Sequence, residues 1–301
     1  MNKRLLALVA VAAAGPAFAQ SSVTLYGVVD VAYAKVSGAK AGMVGSGTPN
    51  NGTSRFGLRG SEDLGGGMKA GFNLEAPFDP ETGATNLAFS RAATVSLSGA
   101  FGSVKMGRTL TPSWYGVQAW ELSRSANYSP VNSQFGYGGP GSRHNAEIRY
   151  TSPSFNGLQF TLGHIVEGDN AGVAKTDLNV IYRQGPLAVA LTYNKLDNAD
   201  ANVSLGAAYD FGRVVVAGSL QDASGAGKGE GFTLGVKVPA GAWNFIVDVA
   251  RDTDKKDTDL LIEARYALSK RTMLYGAALR NGAGKAATAV NTTSIGIRYN
   301  F

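Results

Sequence analysis

Ile295-Gly296-Ile297-Arg298-Tyr299-Asn300-Phe301 is the stretch that decides the fold. Ile295, Ile297, Tyr299 and Phe301 are apolar, while Ser294, Gly296, Arg298 and Asn300 between them are small or polar. Residues two apart share a face of a strand, so the segment predicts one greasy face and one wet face. At the edge of a soluble sheet such a strand is a pairing hazard. As the closing strand of a barrel in lipid it has both edges paired, with rings in hydrocarbon and Arg298 in a watery lumen.

The same alternation recurs along the chain. In the first strand Val23, Leu25, Val29, Val31 and Tyr33 share one face, and Thr24, Tyr26 and Asp30 the other. In Met68–Glu75 the apolar face is Met68, Phe72 and Leu74, and the polar face is Lys69, Asn73 and Glu75. Phe232/Leu234/Val236/Val238, Trp243/Phe245/Val247/Val249 and Leu260/Ile262/Ala264/Tyr266 repeat the pattern. A sustained period of two is a strand signal and excludes amphipathic helices. A tilted spanning strand takes ~10 residues and a hairpin with its connections ~35, so the chain from Gln20 onward makes about eight hairpins. The expected fold is therefore all-β: a 16-stranded antiparallel transmembrane barrel, wide enough for an aqueous channel.

The connections come in two sizes. Gly99-Ala100-Phe101-Gly102, Gln184-Gly185-Pro186 and Ala240-Gly241 are tight turns, whereas Ser37–Gly52, Asp79–Asn86 and Asn281–Asn291 are long and polar. Short periplasmic turns and long external loops orient the barrel. Leu110–Gly141 is longer than any other connection and carries Trp114, Tyr115, Trp120, Tyr128, Phe135 and Tyr137. Disordered segments are poor in aromatics, so this third external loop is expected to fold into the lumen and pack on the inner wall.

Residues 1–19 read as a signal peptide and 20–301 as the barrel domain. Lys3 and Arg4 precede an apolar run from Leu5 to Ala14, then Gly15-Pro16 and a small-residue cleavage site at Ala17-Phe18-Ala19. The later chain offers no run of ~18 apolar residues for a spanning helix. With export and no helical anchor, a β-barrel points to the cell outer membrane. Glycine is abundant at 40 residues and mean hydropathy is −0.04, as expected when residues face lipid and water in turn. Without Lys3 and Arg4 the net charge is about +4, too mild and too scattered for nucleic acid. The absence of cysteine removes disulfides, thiolate metal sites and cysteine nucleophiles.

Several segments resemble the general diffusion porins of Gram-negative bacteria, particularly the β-proteobacterial and neisserial branch. They are Ser22-Val23-Thr24-Leu25-Tyr26-Gly27 with Asp30, the specific Arg59-Gly60-Ser61-Glu62-Asp63-Leu64-Gly65-Gly66-Gly67, Tyr150-Thr151-Ser152-Pro153-Ser154-Phe155, and the terminal Ile297–Phe301. The resemblance implies a sixteen-stranded barrel, usually a homotrimer, in outer-membrane lipid and lipopolysaccharide. It also implies a pore constriction in which wall arginines face an acid on the inserted loop. Matched segment to segment, the wall cluster falls on Arg55, Arg91 and Arg143, and the loop acid on Glu121. External loops are short for the family.

Pattern alone tests those positions. Arg55 is in phase with Arg59 and opposite to Phe56 and Leu58, and Arg143 is in phase with Glu147 and Arg149. Both therefore face inward. Strict alternation back from Val95 and Leu97 puts Arg91 on the lipid face, where a mid-membrane arginine costs about 2–4 kcal/mol. A bulge between Arg91 and Val95, or a place at the external rim, would resolve that. Lys69 and Glu75 are further lumen candidates, for conduction or for an ion-pair network in the wall.

No motif supports catalysis or a cofactor. His144 and His164 are the only neutral-pH bases, and neither has a nucleophile and an orienting acid in evident sequence reach. Asp252–Asp259 lacks the turn glycine and final glutamate of a calcium loop, and Gly282-Ala283-Gly284-Lys285 lacks the spacing of a phosphate loop. The expected function is a water-filled channel, not an enzyme, passing small hydrophilic solutes and ions with a mild preference for anions. The alternative is a substrate-selective channel of the same architecture, in which the rings of the inserted loop line a binding path.

Overall fold

The computed structural model describes residues 22–136, 141–282 and 288–301. The signal-peptide reading, Tyr137 and most of the Gly282–Lys285 segment lie outside the described residues.

Sixteen long antiparallel strands close on themselves, as the alternation predicted. The first is β1 (Ser22–Val36), followed by a three-residue strand β2 (Gly42–Val44) that pairs only beside it. Then come β3 (Arg55–Gly65), β4 (Met68–Pro77), β5 (Ala92–Gly99), β6 (Gly102–Leu110), β7 (Arg143–Thr151) and β8 (Leu158–Ile165). The far wall is β9 (Lys175–Gln184), β10 (Leu187–Leu196), β11 (Ala201–Asp210), β12 (Val215–Asp222) and β13 (Glu230–Ala240). Last are β14 (Trp243–Asp252), β15 (Asp257–Ala267), β16 (Thr272–Asn281) and β17 (Val290–Asn300). The two halves of β1 serve two neighbours: Ser22–Val28 pairs with β3 and Val28–Val36 with β17.

Burial is inverted relative to a soluble protein. Ile295 is 67% exposed and Val23 65%, while Asp30 and Glu147 are 0%. Apolar side chains stand outward for lipid, and polar ones crowd an interior that must satisfy them. Asp30 shows how: it accepts from the Gly52 amide at 2.8 Å, Asn50 Nδ2 at 3.2 Å and Tyr275 Oη at 2.6 Å. That joins β1, the first external loop and β16. At the seam Gly27 and Phe301 exchange two backbone hydrogen bonds of 3.1 Å. A Cβ on Gly27 would lie 2.3 Å from the Phe301 ring, so only glycine admits that ring.

One register expectation is corrected. No shift interrupts β5 between Arg91 and Val95; the ladder from Glu75–Ala92 to Lys69–Ser98 is continuous. The shift lies in β6/β7 instead, where Gly107 faces Glu147 but Thr109 faces His144. The extra residue in β7 puts His144, not Arg143, in phase with Glu147.

Candidate functional site

Two short helices build the inserted loop between β6 and β7: α1 (Pro112–Gln118) and α2 (Pro130–Phe135). Each starts with a hydroxyl cap and a proline in the first turn. Thr111 Oγ1 accepts from the Trp114 amide at 3.0 Å, and Ser129 Oγ accepts from the Asn132 amide at 3.4 Å. Helices this short are marginal alone, so the wall must hold them. Asp177 Oδ1 accepts from the Ser113 amide at 2.8 Å and its hydroxyl at 2.6 Å, and Asn179 Nδ2 donates to the Pro112 carbonyl at 2.7 Å.

The loop's apolar side chains then fill the far side of the lumen. Val117, Trp120, Leu122 and Val131 pack with Ile181, Ala190, Val215 and Ile246 on the wall. Wall glycines make room for three of the loop's side chains: Trp120 lies over Gly206, Leu122 over Gly235 and Phe135 over Gly231. A Cβ on Gly206 would meet the indole at 2.1 Å. Tyr128 is buried beside Leu261 and Tyr275 and donates to Glu263, while Asn51 Nδ2 donates to its hydroxyl at 2.7 Å. Burial, with the Glu263 carboxylate nearby, holds that phenol well above its usual range.

Between the inserted loop and the near wall lies a cavity of about 300 Å³. On the near wall it is lined by Arg55, Arg91, Arg143 and Arg298, and on the loop side by Trp114, Gln118 and Arg124–Asn127. Glu75 is the acid in that lining. Its Oε1 is 2.7 Å from Arg91 Nε and its Oε2 3.3 Å from Arg55 Nε. Arg143 Nε donates to the Arg91 carbonyl at 2.9 Å. Arg91 precedes β5, at the external rim, and turns inward there. The pleat argument for Arg143 does not hold because of the bulge. Its side chain reaches the cavity from the external end of its strand.

Two of the expected residues stand elsewhere. Lys69 is at the periplasmic end of β4, lining a separate 340 Å³ recess with Arg59 and Lys105. Six residues of strand put it roughly 20 Å from Glu75. Glu121 does not face the wall arginines. Its carboxylate is buried within the loop and accepts from Ser123 Oγ at 2.5 Å, Ser129 Oγ at 3.0 Å and the Ser125 amide at 2.7 Å. It was expected across the narrowing because segment matching fixes order along the loop but not which way a side chain turns. Sequence reasoning passed over Arg124, and it put Arg298 in the lumen without placing it at this cavity. Arg298 carried a readable signal, its inward phase in the last strand; Arg124 carried none.

His144 is better furnished than its sequence neighbours suggested. Its Nδ1 is hydrogen-bonded to Glu147, and Nε2 lies 3.6 Å from Asp177 Oδ2, too far for a hydrogen bond. The expectation that nothing orients this ring is thereby corrected. Arg149 completes the group, its Nε 2.5 Å from Glu147 Oε1 and its guanidinium over the Tyr115 ring.

A family model described as Gram-negative porin matches residues 6–286. Outer membrane porin protein 32 of Delftia acidovorans is 36% identical, over 92% of this chain and 88% of that one. The major outer membrane protein P.IB of Neisseria lactamica is 26% identical over the full length of both. Among solved structures, an anion-selective porin from Comamonas acidovorans superposes with a TM-score of 0.77 at 29% identity, covering 94% of this chain and all of that one. With a closed sixteen-stranded barrel, an inverted pattern of burial and a narrowed lumen, the chain belongs to the Gram-negative porins and is a general diffusion pore of the outer membrane.

Proposed function

We propose that this pore prefers anions, and that Arg55, Arg91 and Arg143, joined by Arg298, set the preference at the constriction. The observation that carries the reading is the composition of the 300 Å³ cavity. Four wall arginines line it against one carboxylate, Glu75, which already lies between two of them. In a narrow passage with low-dielectric walls a few such charges raise the local anion concentration whatever the net charge of the chain. The Comamonas acidovorans structure named as anion-selective is similar over most of this chain, which favours the same sign here.

The alternative of a substrate-selective path has less support. Trp120, Tyr128 and Phe135 are turned into the wall and buried there, which leaves Trp114 as the ring in the lining of the 300 Å³ cavity, and one ring makes no ladder for a passing solute. Nor do we assign catalysis to His144, since the Ser113 hydroxyl donates to Asp177 and not to the imidazole. A homotrimer fits a recess of about 710 Å³ on the outer face, lined by Tyr33, Met43, Trp243, Tyr266, Leu274 and Ile295. Gly276 lies in that recess, whereas Ala277 is buried on the inner side in a cluster with Tyr128. Reversal potentials of single channels in a potassium chloride gradient test the main reading. The chloride-favouring sign is expected, and a potassium-favouring sign would refute it.

A further inference from the structure

We propose that Arg124 is the residue of the inserted loop that sets ion preference, and that Glu121 is a positioning residue acting through it. The inference rests on the anion-preferring reading above and extends it from the wall to the loop.

Arg124 is exposed and lines two cavities at once: the 300 Å³ constriction and a 710 Å³ cavity that runs down to Arg183–Leu187, the turn between β9 and β10. Gln118 also lines both, but it is neutral. Arg124 is thus the charged residue common to both linings, carried by the loop and not by the wall. A charge at such a junction acts where the field is most focused.

Its placement has to be enforced. Arg124 and the following Ser125 have φ of 53° and 59°, the left-handed region that side chains with a Cβ avoid. Glu121 supplies the enforcement: the Ser125 amide donates to Oε2 at 2.7 Å, and the hydroxyls of Ser123 and Ser129 donate to Oε1. Ser129 is also the cap of α2, so one carboxylate ties the turn to the helix after it. From the wall, Arg265 Nη2 donates to the Ser123 carbonyl at 2.6 Å. Glu121 belongs to the lining of the larger cavity, but it is 3% exposed and both its oxygens are occupied by loop donors, so little of its charge is left to act on ions.

The two possible roles of Glu121 predict opposite signs, and that decides the experiment. As a counter-charge, its removal raises the chloride-to-potassium permeability ratio. As a positioning residue, its removal lowers the ratio although a negative charge has been lost. Reversal potentials are measured for variants whose β-barrel circular dichroism matches the parent. Arg124→Ala, an exposed substitution, is expected to lower the ratio about threefold. Glu121→Ala is expected to fall in the same direction, and Glu121→Gln, which keeps an acceptor for the Ser125 amide, to fall less. Ser125→Pro leaves every charge in place but fixes φ near −65°, and should give the same fall. The Glu121→Ala/Arg124→Ala double variant should match Arg124→Ala alone. A rise in Glu121→Ala, or an unchanged ratio in Ser125→Pro, would overturn the proposal. A potassium-favouring parent would instead overturn the anion-preferring reading, and the order of the variants would still decide what Glu121 does.

Discussion

Arg55 and Arg91 stand on either side of Glu75, and that trio carries the charge balance of the proposed constriction. Two guanidiniums this close repel, so the carboxylate stabilises the wall while it masks part of the field. Glu75→Gln is therefore expected to raise anion preference and to lower stability by roughly 1–3 kcal/mol, since like charges then face each other partly buried. Chemical unfolding and reversal potentials on the same preparation read both, and an unchanged potential would show the carboxylate to be silent in conduction. Arg55→Ala combined with Arg143→Ala works in the other direction and should lower the chloride-to-potassium ratio about threefold or more. Neutralising Lys255 and Lys256 on the external β14–β15 connection removes the same charge. Exposed charges beyond ~10 Å are largely screened at 0.1 M salt, so that change should do little. Equal effects from the two pairs would mean that total charge, not its place, governs the pore.

At the scale of elements, the inserted loop is held more by packing than by charge. Trp120 over Gly206 is the most demanding contact, and Gly206→Val should displace the indole at a cost of about 1–3 kcal/mol. The expected result is noisier and larger single-channel conductance with an unchanged β-sheet spectrum; a quiet channel of parental size would mean the loop is anchored elsewhere. How far such elements were legible follows from the same physics. The strands were readable because lipid on one side and water on the other impose a period of two on every segment. Six rings in Leu110–Gly141 announced a packed loop. The side of the lumen it packs on was not readable, because its receptor is a set of small wall residues, Gly206, Gly231 and Gly235, that carry no pattern of their own. The bulge in β7 was likewise hidden, and it reversed the phase argument for Arg143. The connection at residues 197–200 gave no length signal, since it is an external loop as short as a periplasmic turn.

The whole molecule depends on one seam, because a barrel without open edges must join its first and last strands. Here the joint is made twice. Asp30 gathers donors from the first loop and β16, and Phe301 lays its ring on Gly27 while the two backbones exchange hydrogen bonds. Gly27→Val should force the ring off the wall, costing about 1–3 kcal/mol as an overpacked contact. Phe301→Ala should also destabilise, by less than the ~3–5 kcal/mol of a fully buried ring, since Phe301 is 39% exposed toward lipid. If the two side chains share one space, the valine of the double variant occupies what the phenylalanine vacated. Its loss should then be smaller than the sum of the single losses by about 1 kcal/mol. Unfolding of the barrel in detergent across a guanidinium series measures all three. Additive losses would show that ring and glycine do not meet at the seam, and that backbone pairing alone closes the barrel.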